Sequence, residues 1–276
     1  MTLSIRQAIE HAKIHLPKDS ASFDAEVLLG HLIGKPRSYL FAFNDHLLSD
    51  QETQQFLSAI ERAKAGEPIA YITGSRGFWD LDLHVTPDVL IPRPDTESVI
   101  EAILERCDHH APIQILDLGT GSGAIALSLK SALINAHIFA LDVSFNALKV
   151  CQKNCLRNTL KVTLIHGSWL DAIQDLSFDI IVSNPPYIDE GDQHLSDLIF
   201  EPYNALVASD NGLSDYRAIC AQAHSKLKTD GMLVFEHGFE QATDVSSLMH
   251  KANFTRIETI KDFGNNDRVT LGYKQP

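Results

Sequence analysis

The stretch that decides the fold is IQILDLGTGSG, residues 113–123. Its first six residues form a continuous, mostly apolar run of the kind that makes a buried β-strand. Three glycines follow at alternate positions, and a helical apolar pattern starts at Ser122. Glycine allows a tight turn and a close approach to a ligand, and a helix N-terminus favours negative charge. The stretch therefore predicts a strand, loop and helix that bind a nucleotide-type ligand.

Strand and helix patterns alternate from this stretch to the C-terminus, and the alternation predicts an α/β fold with a doubly wound, mostly parallel sheet. Predicted helices begin at residues 95, 122 and 145 and span 213–227 and 243–251. Predicted strands are 113–118, 137–141, 162–165, 178–182 and 232–235, with two more near Ile257 and Val269.

The first 67 residues carry a different, purely helical pattern. Ile5, Ile9 and Ala12 recur at helical spacing, and Ser49 with Glu52 forms a capping-box pattern before another helix. Short apolar alternation after residue 71 favours a β-hairpin or an extended linker. We therefore expect a helical bundle over residues 1–70, a hairpin or linker over 71–90, and a catalytic domain over 91–276.

Composition limits the class of protein. The chain has 276 residues, 44% of them hydrophobic, with a formal net charge of −13 and four cysteines. These values exclude a disordered chain and a disulfide framework, and they argue against tight non-specific binding to a phosphate backbone. The chain shows neither a signal-peptide pattern nor an apolar run long enough for a membrane span. We expect a cytoplasmic monomer that does not bind membranes.

The glycine loop indicates which ligand to expect. Its spacing is G-x-G-x-G, whereas the dinucleotide fingerprint is G-x-G-x-x-G. Asp142 ends the second strand about 20 residues further on, a position that suits a ribose diol. The pattern resembles that of the class I S-adenosylmethionine-dependent methyltransferases. The predicted cofactor-binding residues are Gly119, Thr120, Gly121, Ser122, Gly123 and Asp142; the alternative is a connector that binds nothing.

The second motif, NPPY at residues 184–187, follows the fourth strand and should therefore lie beside the glycine loop. The nitrogen of an amide or an exocyclic amine is planar and a poor nucleophile. The side-chain carbonyl of Asn184 and the backbone carbonyl of Pro185 can accept both of its hydrogens and stabilise its developing positive charge. Pro186 stiffens the loop, and Tyr187 can stack on the planar group. The motif suits glutamine and adenine-N6 methylation alike, and a sulfonium donor requires no metal.

Further segments carry a resemblance to a known family. These are PIAYITG at 68–74, LIPRPDTE at 90–97, FEP at 200–202 and EHG at 236–238. With both earlier motifs, the chain resembles the HemK/PrmC family of peptide chain release factor glutamine N5-methyltransferases over nearly its whole length. The resemblance implies a Rossmann-like catalytic domain with a seven-stranded, mostly parallel sheet. It also implies a small N-terminal helical domain that helps to hold the protein substrate.

The implied activity is methyl transfer from S-adenosyl-L-methionine to the glutamine of the GGQ motif in class 1 release factors. The resemblance adds Trp169 and Asn184 to the cofactor contacts and assigns residues 184–187 to the substrate. One position departs from the family pattern: Ser168 stands where an Asp often precedes the Trp. A carboxylate contact to adenine is therefore in doubt, although Asp171 is a candidate replacement.

Two rival substrates remain to be weighed. Residues 162–216 contain ten Asp and Glu and no Lys or Arg, so a DNA duplex would meet a repulsive field around NPPY. We therefore expect no DNA substrate, whereas the same field would attract a basic protein. A glutamine methyltransferase of a ribosomal protein would share both motifs, and this alternative stays open. A non-catalytic scaffold is disfavoured because the site residues are complete.

Overall fold

The computed structural model describes residues 2–18, 20–171 and 173–275, without the side chain of His194. The chain divides into two compact units, Met1–Ser75 and Arg76–Pro276. Within the described residues no helix has the length and apolar character needed to cross a membrane.

The first unit is a bundle of helices, as its apolar periodicity predicts. Its core contains Ile5, Leu29 and Phe56, each with no exposed surface. The capping box at Ser49 forms, because its hydroxyl accepts the Glu52 N–H and the Glu52 carboxylate accepts the Ser49 N–H. The helices are α1 (Ile5–His15), α2 (Ala21–Ile33), α3 (Arg37–Ala42), α4 (Asp50–Lys64) and α5 (Ile69–Thr73).

Residues 71–73 differ from the expected hairpin or linker, because they belong to α5. The Thr73 hydroxyl donates to the Ile69 carbonyl at 3.0 Å, and Gly74 ends the helix with a φ of 65°. Pro68 is the residue just before the helix, with an extended ψ of 137°. The predicted hairpin follows directly, as β1 (Ser75–Phe78) and β2 (Leu81–His84).

The second unit contains the predicted doubly wound sheet. Within the described residues the sheet has seven strands in the order β5-β4-β3-β6-β7-β9-β8. The first five are parallel, and β9 runs antiparallel to both β7 and β8. The strands are β3 (Gln114–Leu118), β4 (His137–Asp142), β5 (Thr163–His166), β6 (Phe178–Ser183), β7 (Leu227–Glu236), β8 (Phe254–Lys261) and β9 (Asp267–Lys274).

Helices cover both faces of the sheet, so alternate residues of a central strand face different cores. Ile115 packs in the core beneath α6 and α7, whereas Leu116 packs in the core beneath α10 and α11. Most boundaries lie within two residues of prediction, and two of the differences have a clear cause. Helix α7 begins at Ala124, because Gly123 has a φ of 86°, and β7 begins five residues early, where Leu227 pairs with Phe178. The helices are α6 (Glu97–Leu104), α7 (Ala124–Ala132), α8 (Phe145–Arg157), α9 (Ser209–Gly212), α10 (Ser214–Lys226) and α11 (Ala242–Lys251).

The strand order locates the site. From β3 the chain adds β4 and β5 on one side and then returns to add β6 and β7 on the other. The order therefore reverses between β3 and β6. In open α/β sheets, ligands bind at such a reversal, beyond the carboxyl ends of the strands. The glycine loop follows β3 and NPPY follows β6, so the topology brings the two motifs together.

Candidate active site

A cavity of about 530 Å³ opens at the carboxyl ends of the central strands. This volume lies in the range of roughly 300–1,000 Å³ that is usual for small-molecule sites. The loops after β3, β4, β5 and β6 line it, together with residues 88–90 and residues in the segment 202–205. Gly119, Gly121, Asp142, Trp169 and Asn184 all belong to this lining. The structure therefore brings both sequence motifs to one cavity.

The glycine loop exposes its backbone to the cavity. Gly119, Gly121 and Gly123 all have positive φ, and a Cβ on Gly121 would meet no atom within 4 Å. Of the predicted loop residues, Thr120, Ser122 and Gly123 are not among the described residues that line the cavity. They shape the loop instead: the Thr120 hydroxyl donates to Asp117, and Ser122 is buried, with its carbonyl accepting a hydrogen bond from Asn154.

Asp142 lies at the end of β4 and binds the glycine loop through hydrogen bonds. Its two carboxylate oxygens accept the N–H groups of Gly121, at 2.9 Å, and Ser144, at 2.8 Å. Burial raises the pKa of Asp142, and these two hydrogen bonds oppose that rise. These hydrogen bonds fix the Asp142 carboxylate beside the glycine loop, where Asp142 lines the cavity.

Asp117 lies beneath the loop, and its environment could not be read from the sequence. The side chain is 1% exposed; Oδ2 accepts from the Thr120 hydroxyl and the Ala126 N–H, while Oδ1 has no hydrogen-bond partner among the described residues. Burial raises the pKa of Asp117 to about 7. The glycine loop therefore rests on a carboxyl group that is close to half protonated at neutral pH.

Trp169 forms one wall of the cavity. Its ring lies 3.6 Å from the place where a Cβ on Gly119 would stand. Asp215 lies beside it and also lines the cavity; burial raises the pKa of Asp215 and the Trp169 side chain opposes that rise. No signal in the sequence indicated Asp215. Ser168 lines the cavity too, whereas Asp171 does not. The Asp171 side chain instead accepts from Gln222 at 3.2 Å on the surface, which disfavours it as the replacement carboxylate.

The NPPY loop presents only part of itself to the cavity. Asn184 and Pro186 line it, Pro185 is buried, and Tyr187 is not among the described lining residues. The Tyr187 N–H donates to Leu206 at 3.2 Å, and its carbonyl accepts from Gln241 at 3.0 Å. Burial raises the pKa of the Tyr187 phenol to about 12. The tyrosine side chain therefore remains a neutral phenol at physiological pH.

The Asn184 side chain is held from behind. Its Nδ2 lies 3.5 Å from the Thr96 hydroxyl, and behind both side chains is the carboxyl group of Glu236, which is 1% exposed and whose pKa both side chains lower. Burial raises the pKa of Glu236 to about 7, opposed by the hydrogen bond from Thr96, the charge of Arg268 and the hydrogen bond from Asn184. In the sequence, Glu236 is distinguished only as part of the EHG segment.

The LIPRPDTE and FEP segments form a second border of the cavity. The Glu201 carboxylate accepts the Ile91 N–H at 3.0 Å and pairs with the Arg93 guanidinium. His237 is fully buried and bonds to the Thr270 hydroxyl and the Gly238 carbonyl, which agrees with a structural role. The part of the chain that the structure describes has no group of His, Cys, Asp and Glu suited to a metal ion.

Comparisons with known proteins agree with this geometry. The Methyltransferase small domain matches residues 95–262, and the PrmC N-terminal domain matches residues 7–74. The chain is 42% identical to the release factor glutamine methyltransferase of Escherichia coli (strain K12), over 97% of this chain and 96% of that protein. It is 43% identical to the protein of that name from Aliivibrio fischeri, over 99% of this chain and 98% of that protein.

A solved methyltransferase structure from Pyrococcus furiosus matches 83% of this chain and 100% of its own with a TM-score of 0.55; at 17% identity it supports the fold alone. The fold and the site together define a class I S-adenosylmethionine-dependent methyltransferase. Within that class, the chain belongs to the release factor glutamine methyltransferase family.

Proposed function

We propose that this enzyme methylates N5 of the glutamine in the GGQ motif of class 1 peptide chain release factors. The observation that carries the proposal is the position of Asn184, whose side chain lines the same cavity as the glycine loop. Asn184, which can accept a hydrogen bond from a substrate amide, and the glycine loop, which can bind a methyl donor, thus line a single cavity. The family to which the chain belongs supports the same reaction.

The residues of the cavity fit S-adenosylmethionine, which when bound supplies an electrophilic methyl group on a sulfonium. Asp142 would accept from the ribose hydroxyls, and the backbone of Gly119 and Gly121, which lines the cavity, would lie along the cofactor. Trp169 would pack on the adenine, with the Asp215 carboxylate holding the indole in place. Ser168, which also lines the cavity, would meet the same end of the cofactor.

The NPPY loop would hold the carboxamide. We propose that the Asn184 side-chain oxygen and the Pro185 carbonyl each accept one hydrogen of the glutamine amide. Attack makes that nitrogen more positive, so both acceptors bind it more tightly in the transition state than in the ground state. Pro185 and Pro186 lack N–H groups and keep the loop stiff. The Tyr187 ring would border the carboxamide, with its backbone fixed by Leu206 and Gln241.

Charge favours a protein substrate over a nucleic acid. Asp189 and Glu190 lie two and three residues after NPPY and are exposed, and residues 162–216 contain no Lys or Arg. A polyanion would be repelled at the reacting centre, whereas a basic protein would be attracted. We therefore propose that DNA is not a substrate. A glutamine of a ribosomal protein is the second candidate, because both site motifs would serve it equally well.

The remaining assignments concern the whole chain. We propose that the N-terminal bundle, which extends to Ser75 and not to residue 70 as expected, helps to hold the release factor, and that the following residues up to 90 connect it to the catalytic residues 91–276. We also propose a monomer, since one chain supplies all residues of the site, and a cytoplasmic location, with which the four free thiols agree. Analytical ultracentrifugation at micromolar concentration tests whether the protein is a monomer.

The deciding experiment offers labelled S-adenosylmethionine with a class 1 release factor, a ribosomal protein and duplex DNA side by side. We expect label on the release factor only, located by peptide mass spectrometry at the GGQ glutamine. A release factor with that glutamine replaced by glutamate is the matched control and should take no label. Equal or higher kcat/KM on the ribosomal protein or on DNA would overturn the proposal.

A further inference from the structure

The Asn184 amide must present its oxygen, not its nitrogen, to the cavity if it is to accept a hydrogen from a substrate amide. The two ends of an asparagine amide have almost the same shape, so only hydrogen-bond partners can select between them. A flipped Asn184 would point an NH₂ donor at the substrate NH₂ group. The proposed reaction therefore depends on whatever holds the amide from behind.

The group behind the amide is Glu236, at the end of β7. The register pairs Ser183 of β6 with Phe235 of β7, so the next residues, Asn184 and Glu236, lie side by side as their strands end. The Glu236 side chain is 1% exposed, and its Oε2 has no hydrogen-bond partner within the described residues. The carboxylate is thus buried beside the site with accepting capacity to spare.

The polar groups that face Glu236 come from three elements. Thr96 and Asp95 lie on the turn before α6, Asn184 and Tyr187 lie on the loop after β6, and Arg268 lies on β9. In addition, the Tyr216 hydroxyl donates to the Glu236 backbone carbonyl at 2.8 Å, which fixes the main chain there.

Among the described residues, the hydrogen bonds of the Arg268 guanidinium go to groups other than the Glu236 carboxylate. Its guanidinium donates to Asp262 at 3.1 Å and to the His237 carbonyl at 3.1 Å, and it lies 3.4 Å from Asp95. Arg268 therefore lowers the electrostatic penalty of a buried negative charge from a distance and leaves the carboxylate oxygens to Asn184 and Thr96.

We propose that Glu236 is a positioning residue, which accepts the Nδ2–H of Asn184 directly and through the Thr96 hydroxyl and so turns Asn184 Oδ1 toward the substrate amide. This inference rests on the proposed function of Asn184 and deepens it. In its ionised form the Glu236 carboxylate can only accept hydrogen bonds, so this form selects the NH₂ end of Asn184. The hydrogen bond also polarises the amide and strengthens Oδ1 as an acceptor.

Kinetics of Glu236→Gln test the inference. This variant keeps the side-chain volume but adds a donor group, so residue 236 no longer selects the NH₂ end of Asn184 over its oxygen. We expect kcat to fall roughly 10- to 100-fold, the loss typical of a misaligned catalytic group. KM for S-adenosylmethionine should change less than about twofold. Asp262→Asn is the matched control, since it removes another buried carboxylate next to Arg268; it should lower Tm but keep kcat within about threefold.

A double-mutant cycle separates positioning from a structural role. If Glu236 acts through Asn184, Glu236→Gln should lower kcat by less than about twofold in an Asn184→Ala background. Equal losses in both backgrounds would overturn the inference, as would a Glu236→Gln enzyme with wild-type kcat. Thr96→Val, which removes the hydroxyl without a charge, gives a second variant with the same non-additivity expected.

A readout without turnover keeps this test independent of the substrate. In ¹⁵N spectra of the wild-type protein, the Asn184 side-chain NH₂ signals are identified by their loss in Asn184→Ala. We expect one of the two protons downfield and protected from exchange, and both effects to disappear in Glu236→Gln. An unchanged proton in that variant would refute the contact, whereas a wrong substrate would leave this signal untouched and appear only in the labelling assay.

Discussion

Replacement of Asp142 is the sharpest test of the cofactor site, because this side chain is both well defined and accessible from the cavity. Its oxygens accept the N–H groups of Gly121 and Ser144, and the residue is 8% exposed. We expect Asp142→Ala to weaken S-adenosylmethionine binding far more than it weakens folding. The reason is that the ribose would lose its acceptor and the glycine loop would lose its tether together.

The expected size follows from the hydrogen bonds. A hydrogen bond to a charged acceptor contributes about 1.5–3 kcal/mol. The ribose diol would share a carboxylate that is already bonded twice, so we take about 3 kcal/mol for the pair of hydroxyls together. At 1.4 kcal/mol per tenfold change, that is a Kd about 100-fold higher. Asp142→Asn keeps one accepting oxygen, so its Kd should rise only about tenfold.

Isothermal titration calorimetry with S-adenosylhomocysteine measures these affinities without turnover. Glu240→Ala is the control for net charge, because Glu240 is exposed and outside the cavity lining, and its Kd should match the wild type. Circular dichroism and Tm establish that each variant is folded. A Kd for Asp142→Ala within about threefold of the wild-type value would refute the assignment of Asp142 to the ribose.

Four further outcomes are expected. Asn184→Asp should lose about 100- to 1,000-fold in kcat with folding retained, because it changes the charge and geometry of the amide acceptor; near-normal turnover would remove Asn184 from this role. Gly123→Ala, whose Cβ would stand 2.7 Å from the Cys151 sulfur, should lower the unfolding free energy by about 2–4 kcal/mol, measured by urea denaturation. Gly121 also has a positive φ, but a Cβ there would meet no atom within 4 Å. Gly121→Ala should therefore lower the unfolding free energy less than Gly123→Ala does, and an equal loss would contradict the steric argument. Burial raises the pKa of Asp117 to about 7 in the folded state. Between about pH 4 and pH 7 the folded state therefore holds a proton on Asp117 that the unfolded state has released. The unfolding free energy then decreases as the pH rises through this range. Asp117→Asn should therefore flatten the decline of stability between pH 4.5 and 6.5 by up to about 1.4 kcal/mol per pH unit, and an unchanged slope would count against the buried carboxyl. Finally, association with the release factor should slow as salt rises, and a flat response would leave solubility as the reason for the acidic surface.

The secondary structure of this protein was largely predictable because its signals are local. The Ser49 and Glu52 pair caps α4 as its spacing predicts, and the strand before the glycine loop appears within one residue of its expected start. Errors occurred where a tertiary interaction overrode the local pattern. The early start of β7, for example, depends on pairing between Leu227 and Phe178, 49 positions apart along the sequence.

The candidate site was predictable only in part. The sequence by itself determined the fold class, the family and the two motifs that meet in the cavity, because periodicity, glycine spacing and NPPY are properties of short segments. Only the tertiary structure decided that Asp215, and not Asp171, lines the cavity together with Trp169 and that Glu236 lies behind Asn184. Those contacts join residues 46 to 52 positions apart, and they exist because the strand order reverses between β3 and β6 and places separate loops at one edge of the sheet.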